Sequence, residues 1–402
     1  MIYHLINLLK EFDFPGQGLF QYLSFRAILS FSTALIFSIL AGKKFIAKIR
    51  AKQIGEEIRD LGLAGQMEKK GTPTMGGILI FFSIIIPVLL FANLTNIYIQ
   101  LLLVTTVWFF LIGFADDYIK VFKKNKDGLS PKMRLIAQTA MGLAIGIAVC
   151  FSDEIVVRES TENIIKSTTT TIPFIKTHEF DYSWLSPFRG EAGMYFKWVI
   201  YIAMIVLVIT SCSNGVNLTD GIDGLATGTS AIVGVVLGIF AWLGGNIIDA
   251  EYLNIMYIPD SGEIAVFMSA FVGALIGFLW YNSFPAQIFM GDSGSLMLGG
   301  IIGVAAVLIR KELLIPILCG IFFAESLSVL MQTTYFKYTR KKYGAGRRIF
   351  KMTPIHHHFQ KEGIPCLFQS DHKAIPEPKI VTRFWIVGMI LAVVTIALLK
   401  IR

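Results

Sequence analysis

The sequence predicts an all-α integral membrane protein of about ten transmembrane helices, with both termini outside and its chemically suggestive connections on the cytoplasmic face. Three observations lead there. Of 402 residues, 54% are hydrophobic and only 16% charged, with a mean hydropathy of +0.64, whereas a soluble domain carries about 25% charged residues. Apolar runs of the length a bilayer requires, about 20 residues per helix, recur along the whole chain. The basic residues are also divided unevenly between alternate connections, the usual mark of a fixed orientation.

The elements follow in order. A first apolar run, 23–42, comes after a segment in which Lys10, Glu11 and Asp13 interrupt the continuous apolar core a cleaved signal needs, so the span is expected to be retained. Further runs lie at 75–93, 97–115, 133–151, 198–213, 226–245, 263–281, 295–309, 312–334 and 382–400. Those at 198–213 and 295–309 are short and must borrow flanking residues or tilt. The four cysteines, Cys150, Cys212, Cys319 and Cys366, contain no Cys-x-x-Cys pair, which removes a zinc ribbon and a dithiol redox motif and leaves packing roles. A net charge of +8 would suggest nucleic acid for a soluble protein. Here it is a topological signal, and no nucleic-acid partner is expected.

With ten spans, the connections 43–73, 116–134, 214–225, 282–294 and 335–383 share one face and carry 25 of the 36 Lys and Arg residues. The positive-inside tendency assigns that face to the cytoplasm. The segment 152–197, with its Ser-Thr run at 167–171, then falls outside as a small cap without chemistry, an insertion within a single domain spanning 1–402.

Every motif with chemical potential lies in the cytoplasmic connections. The first contains Lys69, Lys70, Gly71, Thr72, Pro73, Thr74, Met75, Gly76 and Gly77. The second opens on Asp116, Asp117 and Lys120 and continues to Lys132; the third runs from Asn217 through Asp220 to Asp223. The fourth runs from Asn282 through Phe289 to Asp292 and Ser295, and the fifth holds His356, His357 and His358. The third and fourth contain Asp but neither Lys nor Arg, so their charge must be met from elsewhere. A divalent cation is the economical partner, and carboxylates with a substrate phosphate suit Mg²⁺. Lys69, Lys70, Lys120 and Lys132 are placed to contact phosphate oxygens the metal leaves uncovered. This mixture points to phosphoryl chemistry.

Plainer readings stand beside each motif. An Asp pair at a helix end is commonly just solvated, although there it opposes the helix dipole. A Gly-rich stretch such as 71–77 is commonly a turn. The three adjacent His lack a Cys partner for structural zinc, leaving hydrogen bonds to a diphosphate or carbonyl. Glu325, inside the ninth span, is functional or a packed hydrogen-bond group, and Phe289 taken alone would be a lipid-facing side chain.

Gly-Thr-Pro-Thr-Met-Gly-Gly, Asp-Asp-Tyr, Asn-Leu-Thr-Asp-Gly-Ile-Asp-Gly-Leu-Ala, Phe-Met-Gly-Asp-Ser-Gly-Ser-Leu and Pro-Ile-His-His-His-Phe, in that order over nearly the whole chain, resemble the polyprenyl-phosphate N-acetylhexosamine 1-phosphate transferases. The last motif is similar to that of the branch acting on muramoyl-pentapeptide donors. The resemblance implies transfer from UDP-N-acetylmuramoyl-pentapeptide to undecaprenyl phosphate, giving lipid I and UMP at the cytoplasmic face of the bacterial inner membrane, with Mg²⁺ and as a homodimer. It implies Asp292 as the Mg²⁺ ligand, Asp116 and Asp117 completing the acidic centre, Asp116 as base toward the lipid phosphate, and His356 among the catalytic residues. Substrate contacts fall on Lys69, Thr74, Lys120, Lys132, Asn217, Asp220, Asn282, Phe289, Gln332, His357 and His358. Phe289 would stack on uracil, Asn217, Asp220 and Asn282 would line the nucleoside pocket, and Gln332 would face the nucleobase side. Two departures stand out: the 152–197 segment is longer than the family core needs, and Gln360 replaces a commonly acidic residue. The alternatives are a related N-acetylglucosamine 1-phosphate transferase and a cation-coupled transporter, since Asp, Asn and Gly-broken helices also build ion sites.

Overall fold

The computed structural model describes residues 1–8, 16–51, 69, 71–125, 127–158, 164–173, 179–188, 190–368 and 373–399. All ten apolar runs are helical. Short α1 (Ile2–Leu8) precedes α2 (Leu23–Ala51), α3 (Gly77–Phe91), α4 (Ile97–Phe122), α5 (Pro131–Phe151) and α6 (Glu191–Thr219). Then come α7 (Leu225–Gly244), short α8 (Ile247–Leu253), α9 (Glu263–Asn282), α10 (Asp292–Leu308), α11 (Ile315–Leu318), α12 (Gly320–Tyr343), α13 (Ile355–Gln360) and α14 (Glu377–Leu398). Among the described residues seven helices are long and apolar enough to cross a membrane, eight if the broken pair Glu312–Leu318 and Gly320–Tyr343 is one span; α3 and α10 are apolar but shorter. This is an all-α membrane protein of many crossings.

Local sequence sets the helix starts. Asn96 accepts from the Tyr98 and Ile99 amides to open α4, and Ser130 accepts from the Met133 amide to open α5, with Pro131 in the first turn. The run at 312–334, expected as one span, instead bends by 78° at Cys319. Pro316 on one side and Gly320 on the other weaken the helix there.

α9 packs against α2, α3 and α7, and α10 against α3, α4, α6 and α7. Every residue of α10 from Ser293 to Leu308 is buried. Its sequence is accordingly apolar or small all round, as a central helix must be. α14 instead exposes large apolar side chains such as Ile390 and Val393 to its surroundings.

The 152–197 segment forms two antiparallel strand pairs, β1 (Val157–Arg158) with β2 (Ile164–Ile165) and β3 (Thr169–Thr171) with β4 (Glu179–Asp181). It does more than cap. Arg310, Lys311 and Glu312, directly after α10, are at most 2% exposed, and three consecutive buried charges are costly unless each is paired. The segment supplies partners for two of the charges, since Lys311 Nζ donates to Thr171 Oγ1 at 2.6 Å and Tyr182 Oη donates to Glu312 at 3.4 Å; Thr170 Oγ1 and the Thr171 amide hold the Arg310 carbonyl at 3.1 Å, while the Arg310 guanidinium donates to Tyr201 Oη of α6. Thr171→Val is therefore expected to lower the stability of the purified chain by about 1–3 kcal/mol, the cost of a buried group left unpaired, while turnover of the folded fraction holds. An unchanged unfolding midpoint would mean that Lys311 finds another acceptor.

Candidate active site

Asp116, Asp117 and Lys120, expected in a connection, stand in the last turns of α4, which stays helical through Phe122. Asp292 is the first residue of α10, and Asn217 lies near the end of α6. Gly113, one turn before Asp117, brings the helices together: a Cβ there would lie 2.1 Å from the Asp292 carbonyl oxygen, so only glycine admits the start of α10 this close.

Asp117 then closes the junction. Its two carboxylate oxygens accept from the Asp292 and Ser293 amides, each at 2.9 Å, capping α10. The positive end of α10 thereby compensates an acidic pair that opposes the dipole of its own helix. Asp116 Oδ1 accepts from the Leu129 amide at 2.7 Å. Lys120 Nζ sits 2.6 Å from both Asp116 Oδ2 and Asp292 Oδ2, and Asn217 Nδ2 donates to Asp292 Oδ1 at 2.6 Å and to Ser295 Oγ at 2.9 Å. Arg134, from the first turn of α5, approaches Asp292 to 3.6 Å and Asp116 to 4.0 Å.

The ligand oxygens of Asp116, Asp117 and Asp292 lie within 4.8 Å of one another, so the three carboxylates could hold a metal ion. The donor set fits a hard cation: all three ligands are oxygens, and three negative charges face two positive ones. Asp116 Oδ2 is buried, with the Lys120 ammonium 2.6 Å away.

Other expected residues are placed differently. Lys132 is exposed at the start of α5, and Arg134, two residues on, reaches the carboxylates instead. Lys69 pairs with Asp223 at 2.7 Å and Glu377 at 2.6 Å; Lys70 lies outside the described residues. Thr74 is buried where two connections join: the Phe289 amide donates to the Pro73 carbonyl at 2.8 Å, and the Gly76 amide to the Phe289 carbonyl at 2.9 Å. Phe289 is left half-buried, as is Asp220 at the end of α6. Asn282 holds its own connection in shape, donating to the Ile288 carbonyl at 3.0 Å and accepting from Thr227 at 2.7 Å. Gln332 is taken up by the backbone, accepting from the Ile349 and Phe350 amides and donating to the Phe350 carbonyl at 3.1 Å.

The histidines cluster on α13. His356 Nδ1 is 3.1 Å from Glu325 Oε1, both side chains being fully buried, and its ring packs on Gly221 of the third connection. His357 Nδ1 lies 2.7 Å from Gln360 Oε1, so the departure from the family pattern falls on this cluster. Burial, and then the neighbouring His356, push the His357 imidazole down to about 4, which makes it a neutral hydrogen-bond partner at pH 7. His358 Nδ1 accepts from the Lys351 amide at 3.0 Å, and burial holds this ring below the usual range.

Arg134 and Glu377 escaped the sequence reading, and Ser295 stood there only as the end of the fourth motif, with no role assigned. Arg134 carried a usable signal, lying within the same Pro-Lys-Met-Arg start of α5 as Lys132; the pairings of the other two are tertiary.

Comparison with known proteins adds a family context. The profile of glycosyl transferase family 4 matches residues 99–310, and a signature of the phospho-N-acetylmuramoyl-pentapeptide-transferases matches residues 69–81. Proteins named phospho-N-acetylmuramoyl-pentapeptide-transferase from Parabacteroides distasonis, Flavobacterium psychrophilum and Azobacteroides pseudotrichonymphae are 54%, 52% and 53% identical, each comparison covering 100% of both chains.

Proposed function

The chain belongs to glycosyl transferase family 4, among the phospho-N-acetylmuramoyl-pentapeptide-transferases, and from that membership we propose that it transfers phospho-N-acetylmuramoyl-pentapeptide from UDP-N-acetylmuramoyl-pentapeptide to undecaprenyl phosphate, giving lipid I and UMP in peptidoglycan biosynthesis. The observation that carries this reading to particular residues is the junction of Asp116, Asp117 and Asp292 with Lys120 and Arg134. The proposal extends to ten crossings of the bacterial inner membrane by one domain, 1–402, with both termini and the 152–197 segment outside, acting as a homodimer. The 25 of 36 basic residues in the site-bearing connections support a site open to the cytoplasm.

In the reaction an acceptor phosphate oxygen bonds to the sugar-linked phosphorus of the donor, and the bond from that phosphorus to the bridging oxygen breaks, releasing UMP. Bringing two anionic substrates together is the main electrostatic obstacle. Lys120 and Arg134 supply fixed positive charge where negative charge moves in the transition state. Asp116, through Oδ2, orients the acceptor and takes any proton it retains. Mg²⁺, with Asp292 as ligand and Asp116 and Asp117 beside it, would offset charge on the transferring phosphoryl group. Asp117 maintains the geometry by capping α10. On the donor side, Phe289 offers a ring to uracil, Asn217, Asp220 and Asn282 shape the nucleoside pocket, and Thr74, Lys69 and Lys132 border the phosphates. His356 and His358, with neutral His357, offer hydrogen bonds to the muramoyl side, and Gln332 acts indirectly by fixing the 349–350 backbone.

The test uses the purified full chain with both substrates and Mg²⁺, measuring lipid I and UMP. Equimolar products are expected, with turnover abolished by excess chelator. The specificity constant for the muramoyl-pentapeptide donor should exceed that for UDP-N-acetylglucosamine by about 10²-fold or more, a range accessible to polar recognition. Equal constants would favour an N-acetylglucosamine 1-phosphate transferase, and full turnover in chelator would remove the metal.

A further inference from the structure

Glu377, the first residue of α14, belongs to none of the motifs above, yet one of its oxygens holds two other segments. Glu377 Oε1 accepts from Lys69 Nζ at 2.6 Å and from the Asp223 amide at 2.7 Å. Asp223 Oδ1 accepts from the same Lys69 Nζ at 2.7 Å, while its Oδ2 accepts from the Ala286 amide at 2.9 Å. Four separate stretches of chain, at 69, 223, 286 and 377, thus meet at one lysine and two carboxylates.

The anchor is firm on the α14 side. Ile380 and Val381, on the next turn, pack with Ile222 and Leu225 in a small apolar cluster. Trp385 lies so close to α7 that a Cβ at Gly228 would fall 2.3 Å from its indole nitrogen. With the body of α14 fixed against α7, the Glu377 carboxylate has little freedom to follow Lys69. Lys69 and the 220–224 turn must come to it.

We infer that Glu377 is a positioning residue for the donor-nucleotide side of the site, holding Lys69 and the Asp223 turn in the arrangement that receives the nucleotide. This rests on the proposed transfer reaction. The stretches meeting at the node carry Asp220, Asn282 and Phe289, whereas Asp116, Lys120, Arg134 and Asn217 gather around Asp292 at the acidic junction. Without Glu377 the Asp223 amide loses its acceptor, and Lys69 keeps one carboxylate instead of two.

The experiment compares wild type, Glu377→Ala and Glu377→Gln as purified full chains, measuring UMP affinity, the KM of each substrate and the unfolding midpoint. Glu377→Ala is expected to weaken UMP binding and raise donor KM by about 10-fold, the size of one charged hydrogen bond, with acceptor KM moving less than about 3-fold. Glu377→Gln keeps an acceptor for the Asp223 amide and should recover part of the donor affinity. It also provides the test if the Ala variant fails to fold. Unchanged donor KM and UMP affinity in a folded variant, or donor and acceptor KM rising together, would overturn the inference. Failure of wild type to form lipid I would instead count against the transfer reaction, because the UMP titration reads the Glu377 contacts independently of turnover.

Discussion

Asp292→Asn is expected to lower kcat by about 10³-fold or more, the scale seen when a preorganised electrostatic group is removed from phosphoryl or acyl transfer, with an unfolding midpoint close to wild type. The amide preserves the side chain's shape, and its oxygen can still accept from Asn217 Nδ2, now 2.6 Å from Asp292 Oδ1. α10 should keep its start, because the Asp117 cap binds the backbone amides of 292 and 293 and not the Asp292 side chain. What disappears is the negative charge facing Lys120 and Arg134 at 2.6 and 3.6 Å, together with a strong oxygen ligand for a divalent cation. Added Mg²⁺ should not restore the rate at concentrations that saturate wild type. Activity within tenfold of wild type, with the same Mg²⁺ requirement, would move the ligand to Asp116 or Asp117.

The same residues show how far the sequence could be read. Hydropathy located the apolar runs, seven or eight of which form helices long enough to cross a membrane among the described residues, but it reports where apolar residues stop, not where a helix stops. α4 therefore outlasts its apolar run and carries Asp116, Asp117 and Lys120 as helical residues. The missing countercharge in the third and fourth connections showed only that Asp220, Asp223 and Asp292 need a partner from elsewhere, and the grouping of Asp292 with Asp116 and Asp117 was legible only through the family resemblance. The roles of individual amides were not. Asn282 and Gln332, singled out as substrate contacts, also hold neighbouring backbone at Ile288 and at 349–350, a second task that buried polar groups take on and linear spacing cannot reveal. Arg134 and Glu377 were missed for a related reason: their partners lie far away in sequence, and neither side chain announces a partner by itself. The Ser-Thr run at 167–171 looked bland because the buried Lys311 it satisfies is 140 residues beyond Thr171.

Labelled UMP is expected not to exchange into the UDP-donor when the protein is free of polyprenyl phosphate, the outcome that direct attack of the lipid phosphate requires. A covalent route would first make an aspartyl phosphodiester with loss of UMP, and that step would run backwards without acceptor. The carboxylates give this route little room. Both oxygens of Asp117 accept backbone amides, those of Asp292 face Asn217 and Lys120, and Asp116 Oδ1 accepts from Leu129. Asp116 Oδ2 remains, held beside Lys120, whose charge lowers its nucleophilicity while attracting an anionic acceptor. The acceptor needs little activation, since a phosphate monoester with a second pKa of about 6 is largely a dianion at pH 7. The measurement strips copurified lipid from the full chain, verifies its removal by mass spectrometry, and follows label from UMP into the donor. Background exchange alone is expected, and adding lipid I should open it by reversal of the complete reaction. Robust exchange in lipid-free protein, abolished by Asp116→Asn, would overturn direct displacement and make Asp116 the nucleophile.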